Sequence, residues 1–523
     1  MNRFQKTRFI VVFVICLLLQ TWCAGAQNFF NVLNFGAKND SSLLATTAIQ
    51  KAIATASKSG GGTVYFPPGK YLTGPIHLKS NITIFIDAGA ELHFSSNFDD
   101  YLPMVESRYE GVDVTSFSPL FYANQVENIS IIGRGLIEGH GKKWWDFVEG
   151  YKEGQVRSKW QLEFDRQNKN ILLPDDPRQM KRGFLRPPFI QFMHCKNILI
   201  QGITIRNSPF WTINPQFCDN LTVHAVTIIN PPRNAPNTDG INPESCTNVR
   251  ISDCHISVGD DCITIKSGKD SPGRTKNRPA ENYTITNCTM LAGHGGVVIG
   301  SEMSAGVRNI AISNCIFDGT DRGIRIKSAR GRGGVVEDIR VSNVIMRNIK
   351  KQAIVLDLEY AKVPEEPVSE RTPRFRNIRF SNITAYTNEA IYMNGLKEMP
   401  IEEISINDAV FYAKTGIQIW NAKNISFTGV KINTTNGPAI KAEATTRLDI
   451  LNLHSSAIPT NMPLIKLNNI KSARIQDCWP EAGFKHLAEI SGSETENIIF
   501  KNNIANESGI KIASDVNSSA VKK

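Results

Sequence analysis

The chain holds 523 residues, 41% of them hydrophobic and 21% charged, with a formal net charge of +10. That length supports a large buried core and, taken alone, two to four domains; the charge suits an acidic partner but serves ordinary solubility equally well. No run of Lys and Arg is long enough, and no motif is present, to suggest nucleic-acid binding.

Residues 1–8 carry three cations and no acid, residues 9–19 are an unbroken apolar run, and Ala24-Gly25-Ala26 offers a small-residue cleavage site. This is the pattern of a secretory signal peptide, and the run is too short to cross a bilayer as a helix. Removal of residues 1–26 is therefore expected. It leaves a secreted or periplasmic chain of about 497 residues, with a net charge near +7 and no membrane span. Apolar residues at helical spacing follow at Leu44, Ala48, Ile49, Ala52, Ile53 and Ala56, which predicts a helix over residues 44–56. Short strands broken by Gly and Pro come next, through Tyr71.

From residue 126 a phrase recurs: Asn or Asp, an apolar residue, one residue, another apolar residue. It appears at Asn128-Ile129, Asn197-Ile198, Asn220-Leu221, Asn248-Val249, Asn282-Tyr283 and Asn309-Ile310 and continues to Asn424-Ile425, at intervals of 21 to 39 residues after Ile198. Repeats of this length mean a solenoid. β-Branched residues at alternate places, Asn and Gly at the corners and no amphipathic helix between them select an all-β fold, a single right-handed parallel β-helix. The helix over residues 44–56 is then the cap that keeps the first coil from exposing its apolar rung. Asn side chains stacked at one corner can bond along the column, so these asparagines are structural.

Eight cysteines remain after cleavage. Cys195, Cys218 and Cys246 open one repeated phrase, and Cys254, Cys288 and Cys315 close another. Equivalent places on adjacent coils lie about 4.8 Å apart, while a disulfide wants Cβ atoms about 3.5–4.5 Å apart. Ladders of buried free thiols are therefore expected. Three excursions interrupt the repeat, at residues 140–187, 267–279 and 357–374. The first, with Trp144, Trp145 and Trp160, is expected to pack over one end of a cleft. No Pro-, Gly- or Ser-rich linker divides the chain, so residues 27–523 form one domain, with a small, polar, frayed tail past Asn506.

Between residues 237 and 327 four clusters fall about one repeat apart: Asn237-Thr238-Asp239, Asp260-Asp261, Gly293-His294-Gly295 and Arg325-Ile326-Lys327. Aligning the strand after each puts Asp239 and Asp261 in one column, Asp260 and His294 in the column before, and Lys266 and Lys327 in a third. Alternation turns Ile324 and Ile326 inward and Arg325 and Lys327 outward, on the face of Asp260 and His294. Asp239 and Asp261 are one place out of phase, at a turn where alternation need not hold. Taken singly, each cluster is an ordinary solvated loop or strand. Together, three carboxylates would repel one another unless cations compensate, which is the composition of a site for an anionic substrate.

Glycoside hydrolysis needs one carboxylic acid to protonate the leaving oxygen and a carboxylate to activate water or attack carbon. Asp239 and Asp261 could hold a water between them, leaving Asp260 as proton donor, and Arg325 and Lys327 could grip a uronic-acid carboxylate. No His or Cys shows metal-ligand spacing, so neither metal nor cofactor is expected. Two other readings use the same residues. In a calcium-dependent lyase the acids are ligands and Arg325 the base, with no use for His294; in a glycan-binding β-helix nothing is turned over.

The four clusters, with Gly259 before Asp260, resemble the signature motifs of glycoside hydrolase family 28, the polygalacturonases, and the likeness runs from about Phe30 past residue 430. The resemblance implies a parallel β-helix that hydrolyses α-1,4-galacturonosyl linkages with inversion. It makes Asp260 the general acid, Asp239 and Asp261 the pair holding the attacking water, and His294 a tuner of the acid. Arg325 and Lys327 become ligands of the galacturonate carboxylate, with Asn237 and Lys266 counted among the substrate-binding residues. Inverting enzymes usually hold their carboxyls about 6.5–9.5 Å apart, wider than the coil spacing. Rhamnogalacturonan hydrolases of the same family share the acids but depart at the His and Arg-x-Lys positions, which are intact here. Lys266 and Gly300-Ser301-Glu302-Met303 are similar to the bacterial exo-acting members, which implies attack at a chain end. The expected partner is an anionic polysaccharide or oligogalacturonide, bound by a monomer.

Overall fold

A computed structural model describes residues 29–149, 156–171, 185–481, 483–504 and 509–522. The expected signal peptide and part of the 140–187 excursion lie outside the described residues. Asn and Gly at positive φ turn the chain at each corner, and the strands between corners pair in parallel with their equivalents one coil on. The result is a right-handed parallel β-helix with three stacks of strands.

One stack begins at Phe29–Asn31 and runs through Glu127–Gly133 and Lys196–Gln201. A second runs from Asp40–Leu44 through Leu136–Glu138 to Thr289–Ala292. The third carries the functional clusters. It starts at Ile76–His77 and continues through Phe121–Asn124, Ile190–Met193, Ile263–Ile265, Val297–Ile299 and Ile324–Lys327. Beyond these, long strands such as Val335–Asp357, Arg374–Asn394 and Ile401–Thr428 turn corners and serve more than one stack. Residues of period two face inward: Ile213, Ile241, Ile263, Val297, Ile324 and Ile354 form one buried file, each at most 1% exposed.

The asparagine column is present. Asn128 donates to Asn81, Asn197 to Asn128 and Asn220 to Asn197, at 2.8–2.9 Å. Each sits at φ between 55° and 63°, a left-handed geometry that Asn tolerates better than most residues. All eight cysteines described are free and buried.

The cap helix spans Thr46–Lys58 and buries Ala48, Ile49, Ala52, Ile53 and Ala56. Leu44 is not part of it; it ends a strand and is 45% exposed. A second correction concerns the C-terminus. Ile510–Ile512 pairs with Ala488–Ser491 and Val521–Lys522 with Glu496–Lys501. Small polar composition hid two short strands, held to the last coil by ladder bonds and by Ile510 and Val521 packing against the core. The tryptophan excursion also departs from expectation. Trp144 is fully buried and stacks on Phe98 at 4.2 Å, and Trp160 packs edge-on against Phe98 and tilted against Phe117. These rings join the hydrophobic core rather than the cleft wall. An antiparallel hairpin, Val105–Tyr109 with Val112–Ser116, reaches the cleft instead.

Candidate active site

The third stack and its preceding turns bring all eight singled-out residues, Asn237, Asp239, Asp260, Asp261, Lys266, His294, Arg325 and Lys327, to the wall of one cleft of about 820 Å³. The columns hold: Gly240 N–H donates to the Asp261 carbonyl and His294 N–H to the Asp260 carbonyl, at 3.0 and 2.8 Å. Asp239 and Asp261 face the cleft against strict alternation because they precede the strands, where the chain is still turning. Gly293 is required here, since a Cβ would lie 2.5 Å from the Asp260 carbonyl oxygen. Gly295 leaves room beside Asp261, where a Cβ would stand 3.3 Å from Oδ1.

Carboxylate oxygens of Asp239, Asp260 and Asp261 all lie within 4.8 Å of one another. Asp239 is 3% exposed, and its Oδ2 accepts from Asn242 Nδ2 at 2.9 Å and Thr264 Oγ1 at 3.2 Å. Asp261 is 2% exposed; its Oδ2 accepts from Lys327 Nζ at 2.9 Å, while its buried Oδ1 has no hydrogen-bond partner among the described protein atoms. Asp260 is less buried and meets His294 Nδ1 at 3.1 Å. Burial, then the Asp260 charge, pushes the Asp239 carboxyl well above the usual carboxylate range. Burial acts on Asp261 too, but Lys327 and Arg325 outweigh it and hold that carboxyl below the range. The hydrogen bond to Asp260 raises the His294 imidazole. This arrangement favours the protonated form of Asp239 and the ionised form of Asp261.

Three acids this close could serve as metal ligands, the geometry a lyase reading needs. Here the compensating charge already comes from side chains. Lys327 bonds Asp261 directly and the Arg325 guanidinium stands 4.0 Å from it, so a divalent cation would meet two fixed positive charges. The chemistry that fits is proton transfer and water activation.

Lys266 differs from what its register suggested. Its ammonium pairs with Glu302 at 2.6 Å and lies 4.6 Å over the Trp211 ring, 5% exposed. Glu302 outweighs burial and raises its pKa. Asn237 is held by the buried Arg186, whose guanidinium donates to its Oδ1 at 2.8 Å. Sequence reasoning missed Tyr109 and Glu110 from the hairpin tip, Trp211, Lys269 and Arg332, and Tyr360 from the 357–374 excursion, all of which line the cleft; Glu302, noted in sequence only within Gly300-Ser301-Glu302-Met303, lines it too. Tyr360 lies 5.3 Å from both the Arg325 and Lys327 cations. Trp211 stands one coil before Asp239 in the same column; no local pattern marks the others, because they arrive on loops whose paths are set by packing. The hairpin is locked down by Arg108, 1% exposed, which binds Glu244 on the sheet and its own Asp113.

The sequence profile of Glycosyl hydrolases family 28 matches residues 176–428, and one described as Rhamnogalacturonase A/epimerase, pectate lyase-like, matches residues 29–170. An endo-polygalacturonase of Pectobacterium carotovorum subsp. carotovorum is 31% identical over 74% of this chain and 88% of its own. Among solved structures, an exopolygalacturonase of Thermotoga maritima superposes with a TM-score of 0.64 at 33% identity, covering 76% of this chain and 87% of that one. A family 28 exopolygalacturonase of Yersinia enterocolitica gives 0.69 at 25% identity, covering 82% and 78%. With the acids, the histidine and the Arg-x-Lys pair assembled in one cleft of a β-helix, and relatives of this identity over most of the chain, the protein is a glycoside hydrolase and belongs to glycosyl hydrolases family 28.

Proposed function

We propose that this protein is a secreted, monomeric polygalacturonase that hydrolyses α-1,4-galacturonosyl linkages of pectin from a chain end. The observation that carries the substrate class is the cation pair Arg325 and Lys327 standing beside the acids under Tyr360. A galacturonate carboxylate entering there accepts charge-assisted bonds from both. The scissile oxygen then lies over Asp260, the most accessible of the three acids, which donates the proton. His294, its imidazole raised by the hydrogen bond to Asp260, steadies the carboxylate left behind. Water held between Asp239 and Asp261 attacks from the other face; Asp261 Oδ1, buried and unpartnered, is the acceptor such a water would satisfy. Both carboxylates are buried and bonded to neighbours, which favours holding a water over attacking carbon, and hence inversion. Proton NMR of the first anomer released tests this: the opposite anomer from the substrate is expected, and the same anomer would overturn it.

End attack is supported by the hairpin of residues 105–116, which stands over the sheet on the N-terminal side of the acids, and by the Thermotoga and Yersinia relatives named as exopolygalacturonases. The Pectobacterium relative is named for endo action. Viscosity measured beside reducing ends decides: freed ends with nearly constant viscosity are expected, and early collapse would mean internal cutting. The rhamnogalacturonase-like match over residues 29–170 supports a second reading, a rhamnogalacturonan hydrolase. Chromatography of digests of homogalacturonan and rhamnogalacturonan separates the two. Asp260→Asn should lower turnover about 10²–10⁴-fold while retaining fold and binding; near-normal turnover would sink the assignment. Secretion rests on residues 1–26; among the described residues no helix is long and apolar enough to cross a membrane.

A further inference from the structure

The outer face of the third stack has two halves. On the N-terminal side of the acids it is roofed: Gln191 Nε2 donates to the Arg108 carbonyl of the hairpin and to Asn214, and Asn214 donates to the Asn242 carbonyl, all buried. On the C-terminal side the hairpin no longer covers the column; Tyr360 stands over Arg325 and Lys327, Val355 is buried, and the residues beyond are more accessible. Arg325 is followed, coil by coil, by Val355, Tyr392, Gln418, Lys441 and Lys466. In the neighbouring outward column Lys327 is followed by Asp357, Asn394, Trp420 and Glu443. The Tyr392 and Trp420 rings lie 5.5 Å apart, and the Lys441 ammonium stands 5.5 Å over Trp420. Lys466 is exposed. Glu489 and then Lys511 complete the column, and the two meet at 3.9 Å.

We propose that this face is a binding strip for the part of an anionic galacturonan chain that has not yet entered the cleft, with Tyr392, Trp420, Lys441 and Lys466 as its contacts. The strip is continuous in register with the Arg325 and Lys327 columns, so a chain held there by one carboxylate can pass Tyr360 and run on along the helix axis to Tyr392. Five coil steps from Arg325 to Lys466 make about 24 Å of track. Aromatic rings offer apolar surface for sugar C–H faces, and the lysines offer charge-assisted bonds to uronate carboxylates. Asp357 and Glu443 share the outward column of Trp420, and Lys441 and Lys466 in the adjacent column set positive charge beside them. This assignment rests on the galacturonan reading above. It adds that polymer and short oligomer are held differently: a short oligomer ends near the cleft, whereas a polymer also uses the strip.

The test uses the full chain, with Trp420→Ala and the double change Lys441→Ala with Lys466→Ala, each checked for unaltered thermal unfolding. Affinity electrophoresis through gels containing polygalacturonate, with neutral dextran as control, is run on these changes in the Asp260→Asn background, so binding is read without turnover. Retardation by polygalacturonate should weaken about tenfold, equivalent to about 1.4 kcal/mol, and the remaining binding should depend less on salt. In the active protein KM for polygalacturonate should rise while kcat, and both constants for trigalacturonate, stay unchanged. Unchanged retardation, or equal loss on polymer and trigalacturonate, would overturn the strip. Absence of any galacturonate release by the unaltered protein would instead overturn the functional reading, and the gel would still decide whether the strip binds a polyanion.

Discussion

Lys327 serves two anions in turn, Asp261 in the free protein and a substrate carboxylate in the proposed complex. From sequence it is an exposed cation of little weight in folding; the structure buries it to 7% exposure against Asp261. Removing one partner of a buried pair costs about 3–5 kcal/mol, and Arg325 at 4.0 Å compensates only in part. Lys327→Ala should therefore destabilise the protein at neutral pH as well as weaken action on de-esterified galacturonan more than on methyl-esterified pectin. Asp261 has a lowered pKa when folded, so the stability it gives is present above its unfolded value and lost as pH falls through the folded one. Thermal melts should show the gap between Lys327→Ala and the unaltered protein narrowing below about pH 4. Asp239 has the opposite sign. Its raised folded pKa means that ionising it opposes folding, so stability is lost as pH rises from the unfolded value. Asp239→Asn keeps an acceptor for Asn242 and Thr264 and removes the charge. It should melt higher at pH 7, with little change near pH 3, while turnover falls by about 10² or more. A lower melting temperature at pH 7 would contradict the buried-charge account.

The hairpin is the element that closes one side of the cleft, and its closure depends on Gly111. Its φ is 85°, and a Cβ there would lie 2.8 Å from Lys269 Cβ. Glu110, at φ 46°, completes a two-residue turn with both central positions left-handed, the geometry that suits a tight hairpin. Gly111→Val should lift the tip from Lys269 without disturbing the coils beneath, which have their own ladder bonds. The product pattern then shifts from monomer or dimer towards longer oligomers, read by chromatography of early digests; an unchanged pattern would mean that the tip does not bound the cleft. Sequence placed this job on the excursion of residues 140–187, of which Arg186 does reach the cleft wall at Asn237 and Tyr109 while the tryptophans do not. The error was physical: aromatic rings in an insertion signal burial somewhere, and these rings found Phe98 and Phe117 instead of the cleft.

Across the whole molecule the β-helix has two open ends, and each is closed differently. The Thr46–Lys58 helix covers the first coil, while strands Ile510–Ile512 and Val521–Lys522 extend the last. Deleting residues 509–523 would bare the edges of Ala488–Ser491 and Glu496–Lys501, and exposed parallel edges pair with other chains. The truncated protein should melt lower and associate on light scattering; a monomer of unchanged stability would restore the view of this segment as a dispensable tail.

The sequence determined the repeat, because corner asparagines and alternating β-branched residues recur at coil length, and with it the registers that stack Asp239 on Asp261 and Asp260 beside His294. A one-dimensional solenoid turns spacing in sequence into position in space, so local pattern was enough for the acids, Arg325 and Lys327. It was not enough for whatever crosses between coils by a loop. Only the tertiary structure paired Lys266 with Glu302, set Arg186 on Asn237, brought Tyr360 over the two cations and locked the hairpin through Arg108 and Glu244. Those contacts join residues whose separation follows no repeat, and their partners are chosen by burial, charge and packing at the place where each loop lands.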